Sequence, residues 1–248
     1  AKSLTGIMTK LHQCKYRFGL TGTLDGSQTH KLVLEGLFGT AEKVVSTKEL
    51  IDKKTLANLK IKCIVLKHPT KKERMDYVEE MDYIVSRESR NKFILDLCKN
   101  ISGNTLCLFQ LVEKHGKILH DGMKGGENVY FVYGGTDTEQ REKIRGLVEG
   151  HTKSTTIASY GTFSTGINIR NINNIVLASP SKSKIRVLQS IGRGLRTSST
   201  KDSILIFDIA DDISYGERRN FTLNHFFERI NIYNEEQFNY EISKVKIK

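Results

Sequence analysis

Beyond residue 103 the apolar positions fall into short unbroken runs, separated by stretches in which they recur at three- and four-residue intervals. Residues 105–110, 128–133, 155–159, 174–179 and 203–209 read as strands, several of them too continuously apolar to keep a wet face. Residues 88–101, 113–123, 137–149 and 184–196 have helical spacing, with Asp137 placed to cap the start of its own helix. Strands that alternate with helices and are apolar on both sides predict an α/β fold, a parallel sheet with helices on both faces.

The pattern upstream is thinner. Residues 1–14 carry a helical stripe of Leu4, Ile7, Met8 and Leu11; residues 15–20 read as a short strand ending in the small-residue turn Thr21-Gly-Thr-Leu-Asp-Gly26. A helix is predicted over 30–38 and a strand over 59–66, an α/β region short of strands. Residues 68–90 are charge-dense and poor in apolar residues, as suits an exposed helix or hinge. These features divide the chain into a remnant over 1–67, a linker over 68–87, an α/β domain over 88–212 and a helical extension over 213–248. In the extension, Leu223, Phe226, Phe227 and Ile230 share one side of a helix over 222–233, and residues 241–248 form a polar strand or a frayed end.

Composition changes this picture in one respect. With 248 residues, 38% hydrophobic and 27% charged, the chain has material for one large domain or two modest ones and no bias toward disorder. Its 39 Lys and Arg against 28 Asp and Glu give a net charge of +11, an excess that attracts polyanions such as nucleic acid, although solubility alone would also account for it. Cys14, Cys63, Cys98 and Cys107 are scattered, without a C-x-x-C pair or a histidine cluster, and read as reduced thiols of a cytoplasmic protein rather than as metal ligands. No apolar run approaches the roughly 18 residues of a membrane span, so no membrane partner is expected.

The chemistry gathers in Val187-Leu-Gln-Ser-Ile-Gly-Arg-Gly-Leu-Arg196. In a helix, Gln189, Arg193 and Arg196 stand at i, i+4 and i+7 and leave one face together. Guanidinium forks hold phosphate oxygens bidentately and keep their charge throughout phosphoryl transfer. Gly192 and Gly194 each weaken a helix by about 1 kcal/mol relative to Ala, so a close approach by backbone or ligand should explain them. Two loops, residues 134–137 and 160–168, also follow strands, and with the arginine helix are expected to converge on one edge of the sheet. Backbone N–H groups and the hydroxyls of Ser159, Thr162, Ser164 and Thr165 could meet phosphates there. A solvated basic helix and an ordinary strand–helix connection would show the same residues.

The order of these segments resembles that of the superfamily 2 nucleic-acid helicases, ATP-driven motors built from two RecA-like domains. Phe18-Gly-Leu-Thr-Gly-Thr-Leu24 is similar to motif III, residues 105–110 to motif IV, and Tyr133-Gly-Gly-Thr136 with Arg141 to the segment after it. Residues 158–169 resemble motif V, and Gln189-Ser-Ile-Gly-Arg-Gly-Leu-Arg196 resembles motif VI. The resemblance implies a RecA-like second motor domain preceded by the tail end of a first. It makes Arg193 and Arg196 arginine fingers toward the ATP phosphates, with Gln189, Gly166, Asn168 and Gly192 in the nucleotide cleft. It also implies that Gln110, Gly134, Ser159 and Thr162 meet the nucleic-acid backbone, and that Thr21, Gly22 and Thr23 couple the two sites. Gly22 stands where the motif usually has Ala, and Asn168 where many relatives have Asp, a departure that argues against a charge-dependent role for position 168.

Motifs V and VI, the strand Ile206-Phe-Asp-Ile-Ala-Asp-Asp212 and the set His225, Arg229 and Tyr233 are most similar to phage recombination helicases of this superfamily. That likeness implies an ATP- and Mg2+-dependent DNA helicase, monomeric, acting on branched or single-stranded DNA in recombination, repair and replication: Holliday junctions, D-loops and the RNA–DNA hybrids of R-loops. No G-x-x-x-x-G-K-[ST] segment and no Asp-Glu dipeptide occur in the sequence. The phosphate cradle and the magnesium carboxylate are therefore expected on a first motor domain outside this chain, and the chain by itself is expected to be inactive. Two other functions fit the residues: a passive basic module that binds or anneals DNA, and a translocase that moves on duplex DNA without separating strands.

Overall fold

A computed structural model describes residues 2–21, 28–69, 75–166, 169–181, 183–196 and 201–248. The first elements are α1 (Lys2–Met8) with a 3-10 turn (Thr9–Leu11), α2 (Gln28–Phe38), α3 (Thr47–Asp52) and β1 (Asn58–Lys67). There follow α4 (Tyr77–Ser86), α5 (Glu88–Asn100), β2 (Asn104–Phe109), a π turn (Val112–Gly116), α6 (Lys117–Asp121), β3 (Val129–Val132) and α7 (Thr138–Gly150). The chain continues through β4 (Ser154–Ser159), α8 (Tyr160–Gly166), β5 (Asn174–Leu177), α9 (Lys184–Gly194), β6 (Ser203–Asp212), α10 (Phe221–Glu235) and β7 (Tyr240–Lys246).

Among the described residues the strands form one sheet in the order β3-β4-β2-β5-β6-β1-β7, and every pairing is parallel. All residues of β2, β4 and β5 are buried, because helices cover both faces. Alternate residues feed separate cores. Leu106 and Leu108 pack with Val148 of α7, Phe163 of α8, Val187 and Ile191 of α9, and Phe226 and Tyr233 of α10. Cys107 and Phe109 pack on the other side with Ile94 and Cys98 of α5 and Leu119 of α6.

The sheet crosses the division placed at residue 67. β1 pairs with β6 from Asn58↔Ser203 to Lys67↔Asp212, so a strand assigned to the remnant lies inside the sheet of the following domain. Hydrogen bonding to a buried neighbour decides its membership, and composition carries no trace of that. The helix within 68–87 is not an exposed hinge either: α4 buries Met81, Ile84 and Val85. Its start, a capping box between Asp76 and Glu79, is local, but its burial comes from packing against α10, the π turn and α5. The extension over 213–248 is more than helical, since β7 adds an edge strand alongside β1. Residues 15–20 form no strand; Phe18 and Leu20 are largely exposed there, and no described strand lies beside them to complete a ladder.

Two carboxylates tie the layers together. Asp208 and Asp211 stand three residues apart on β6 and therefore face opposite sides of the sheet. On one side, Arg229 of α10 grips Asp208 through Nε (2.9 and 3.0 Å) and Nη2 (2.7 Å), while the Tyr233 hydroxyl donates to it at 2.8 Å. On the other, Arg90 of α5 donates to Asp211 at 2.7 Å and to the Ala178 carbonyl at 2.7 Å. A third buried acid, Glu80 of α4, caps α10: its oxygens accept from the N–H groups of Phe221 (2.9 Å) and Thr222 (2.6 Å).

Candidate functional site

Gln110, Gly134 and Ser159 stand at the carboxyl ends of β2, β3 and β4, three adjacent strands, so the fold gathers the predicted phosphate-contacting residues on one stretch of sheet edge. Gln110 and Gly134 are exposed. The Gln110 amide donates to the Ser179 hydroxyl at 3.1 Å, which fixes the loop after β2 against the end of β5. The turn after β3 is held by Arg141, which donates to the Gly134 carbonyl at 3.0 Å, and by Thr136, whose amide donates to the Tyr133 carbonyl at 3.0 Å. Asp137 then caps α7 by accepting from the Gln140 amide at 2.7 Å, as its position in the sequence predicts. Ser159 and Thr162 are buried, and their hydroxyls face one another at 2.8 Å. They hold the turn from β4 into α8, which is a helix rather than the glycine loop the composition suggests.

The arginine helix does not converge on this edge. α9 starts there, with Ser183 accepting from the Arg186 amide at 3.3 Å, and descends along the sheet. Its far end lies by the beginnings of the strands: the Leu195 carbonyl accepts from the amide of Ala57, just before β1, at 2.9 Å. A Cβ on Gly194 would run into Ile204 at the start of β6 and into Ile175 of β5 (2.8 Å), so this glycine permits close packing of helix on sheet. A Cβ on Gly192 meets no described atom within 4 Å. The helix ends at Gly194, which leaves Arg196 just past it rather than on its face. Arg193 is thus about 10 Å along the helix from Arg186 at its upper end.

Gln189 and Arg196 are exposed, and Arg193 is half-buried. The Arg193 guanidinium lies over the ring of Phe163 at 5.6 Å, and that of Arg186 over Tyr160 at 5.7 Å. Partial burial, then repulsion from Arg196, lowers the Arg193 pKa from its ordinary value. Two guanidinium groups that raise each other's energy are a place where a multiply charged anion gains affinity. Gly166 closes α8. Asn168, Gly22 and Thr23 lie outside the described residues, and Thr21, just before residues 22–27, is exposed. No group of three or more His, Cys, Asp or Glu side chains suited to a metal occurs among the described residues.

Sequence reasoning missed a buried network behind the Gln110 edge. His68, after β1, meets Asp211 at 2.9 Å; His115, in the π turn, meets Ser179 at 2.9 Å and Arg90 at 3.5 Å. Burial, then the Arg90 charge, lowers the His115 pKa to about 3, so the ring is neutral. Asp211 is opposed by burial but stays below its ordinary pKa because of Arg90 and the hydrogen bonds from His68 and Arg90. A signal was available: acids inside an apolar strand, as in Ile206-Phe-Asp-Ile-Ala-Asp211, require buried cationic partners.

Comparison with known proteins bears on this arrangement. The model of the helicase conserved C-terminal domain matches residues 89–198. The ATP-dependent DNA helicase UvsW of Enterobacteria phage T4 is 34% identical over 264 residues, covering 99% of this chain and 52% of that protein. The crystal structure of T4 UvsW superposes with a TM-score of 0.66 at 33% identity, over 99% of this chain and 51% of the other. The ATP-dependent Type ISP restriction-modification enzyme LlaBIII bound to DNA shares the fold at 11% identity, with a TM-score of 0.59 over 94% of this chain and 18% of its own. The chain thus spans about half the length of UvsW.

Proposed function

We propose that the chain, whose residues 89–198 match the model of the helicase conserved C-terminal domain and whose sheet has the RecA-like arrangement, is the second motor domain of an ATP-dependent DNA helicase of superfamily 2. Arg193 and Arg196 face the phosphates of ATP held by a first motor domain, with Gln189 and Gly192 beside them and Gly166 and Asn168 lining the cleft. Gln110 and Gly134 meet the DNA backbone, and the paired hydroxyls of Ser159 and Thr162 shape the turn that does so. Thr21, Gly22 and Thr23 link the two sites. The substrate is branched DNA of the kind found in recombination, repair and replication, R-loops among them, and the protein acts as a cytoplasmic monomer. Mg2+ enters with the nucleotide and supplies charge neutralisation at its phosphates. We place the start of the second domain ahead of β1, with the remnant of the first domain before it.

The observation that carries this reading is the separation of the two sets of residues. A module that only binds or anneals DNA would gain from arginines on the same edge as Gln110 and Gly134, where they would neutralise further phosphates. Instead, Arg193 stands in the last turn of α9, whose next residues, Gly194 and Leu195, reach the starts of β5, β6 and β1. A motor requires two such sites, one for a polynucleotide and one for a nucleotide. The chain alone is expected not to turn over ATP, since its described part offers arginines but no carboxylate cluster for the metal. The test is strand displacement on forked DNA beside displacement of a triplex strand, both with the full-length protein and ATP. Displacement of the forked strand supports a helicase; triplex displacement alone would make it a duplex translocase, and neither would leave a passive module.

A further inference from the structure

Two aromatic residues of α8, Tyr160 and Phe163, lie one helical turn apart and present their rings to two arginines of α9, Arg186 and Arg193. Both distances, 5.7 and 5.6 Å from guanidinium carbon to ring centroid, fall within the range of a cation–π contact. The rings differ in what else holds them. The Tyr160 hydroxyl donates to the Ser179 carbonyl at 3.0 Å, so that residue has a separate anchoring role. Phe163 has no polar handle; it is 1% exposed, and it packs in the same core as Val187, Ile191 and Leu195 along α9. Its position is fixed by the core, whereas the arginine above it is only half-buried.

We propose that Phe163 is a positioning residue: its ring is the seat on which Arg193 is held pointing out of the α8–α9 junction toward the triphosphate. This rests on the reading of Arg193 as phosphate-facing and adds to it a residue that the resemblance to helicase motifs does not assign. An arginine on a flexible stem loses several rotamers whenever it engages an anion, and a fixed ring beneath the guanidinium removes part of that loss beforehand. The quadrupole of the ring attracts the cation as a whole and needs no N–H donor of the guanidinium to do so. The seat also has a mechanical consequence. Thr162, whose hydroxyl pairs with Ser159 at the nucleic-acid edge, is the residue before Phe163, so a shift of that turn on binding DNA moves the seat of the arginine directly.

The experiment measures DNA-stimulated ATP turnover by the full-length protein as wild type, Phe163→Leu, Phe163→Met, Phe163→Tyr, Arg193→Ala and Arg193→Ala/Phe163→Leu, each checked for folding by its thermal melt. Loss of the ring in the Leu and Met variants should lower kcat about tenfold with little change in KM, while Tyr, which keeps the ring face, should recover to within about threefold of wild type. The double variant should be no slower than Arg193→Ala alone. Full turnover in folded Leu and Met variants, or losses that multiply in the double variant, would overturn the seat. So would failure of both variants to fold, because the ring would then serve packing alone. Full turnover in Arg193→Ala would instead refute the phosphate-facing role of Arg193 itself, whatever the Phe163 variants do.

Discussion

Arg229 and Arg90 are fully buried cations, and each lies opposite one carboxylate of β6. Burying a charge is tolerable only when it is paired, and removing one partner strands the other. Arg229→Ala should therefore destabilise the fold by about 3–5 kcal/mol, read from the midpoint of urea unfolding. Loss of less than about 1 kcal/mol would mean that Asp208 is satisfied without it. His115 gives a pH test. Its folded pKa, pushed down to about 3 by burial and then by Arg90, lies below the value of about 6.5 expected in the unfolded chain. Between those values the unfolded state binds the extra proton, so this contribution to stability is complete above about pH 6.5 and is lost as the pH falls toward 3. Replacing His115 with Gln should flatten the dependence of unfolding free energy on pH between about 6.5 and 4, relative to wild type. An unchanged slope would show that the ring is protonated in the fold.

At the scale of elements, what the sequence makes legible follows burial. β2, β4 and β5 were readable because every residue in them is covered, which leaves an unbroken apolar run. The edge strand β7 was blurred because most of it is exposed and its polar residues resemble a tail. α8 read as a loop, since Tyr160-Gly-Thr-Phe-Ser-Thr-Gly166 is built from residues of low helix propensity, and only tertiary packing overrides that. Residues 15–20 had the opposite fate: their apolar character suggested a strand, but a strand is defined by a neighbour. For the candidate site, the spacing of Gln189 and Arg193 is legible in α9, yet the course of the helix is not: it was expected to converge with the loops on one edge, and instead it ends by the starts of the strands. The cap that Glu80 places on α10 was also beyond reach, because 140 residues separate it from Asn220. Glu80→Ala should cost about 2 kcal/mol by leaving buried donors unpaired, and should speed amide exchange at Phe221 and Thr222. Unaltered exchange at those two amides would mean that α10 is capped by something else.

On the scale of the whole molecule, a parallel sheet with helices on both faces carries two groups of candidate residues, one at its carboxyl edge and one where α8 and α9 meet below it. On the proposal that the first of these meets DNA, the net charge of +11 on the chain adds an attraction for phosphates. DNA binding by the chain should weaken steeply as salt rises, and removing one phosphate-contacting cation should reduce the slope by about one unit. Arg193→Ala should leave that slope unchanged, because Arg193 is assigned to the nucleotide. Under the proposed function, Arg193 acts on ATP across a domain cleft, not on DNA. The most direct test of that role is DNA-stimulated ATP turnover by the full-length protein with Arg193→Ala, at saturating DNA. The account predicts a fall in kcat of about a hundredfold or more with DNA affinity retained. Full turnover with weakened DNA binding would contradict it.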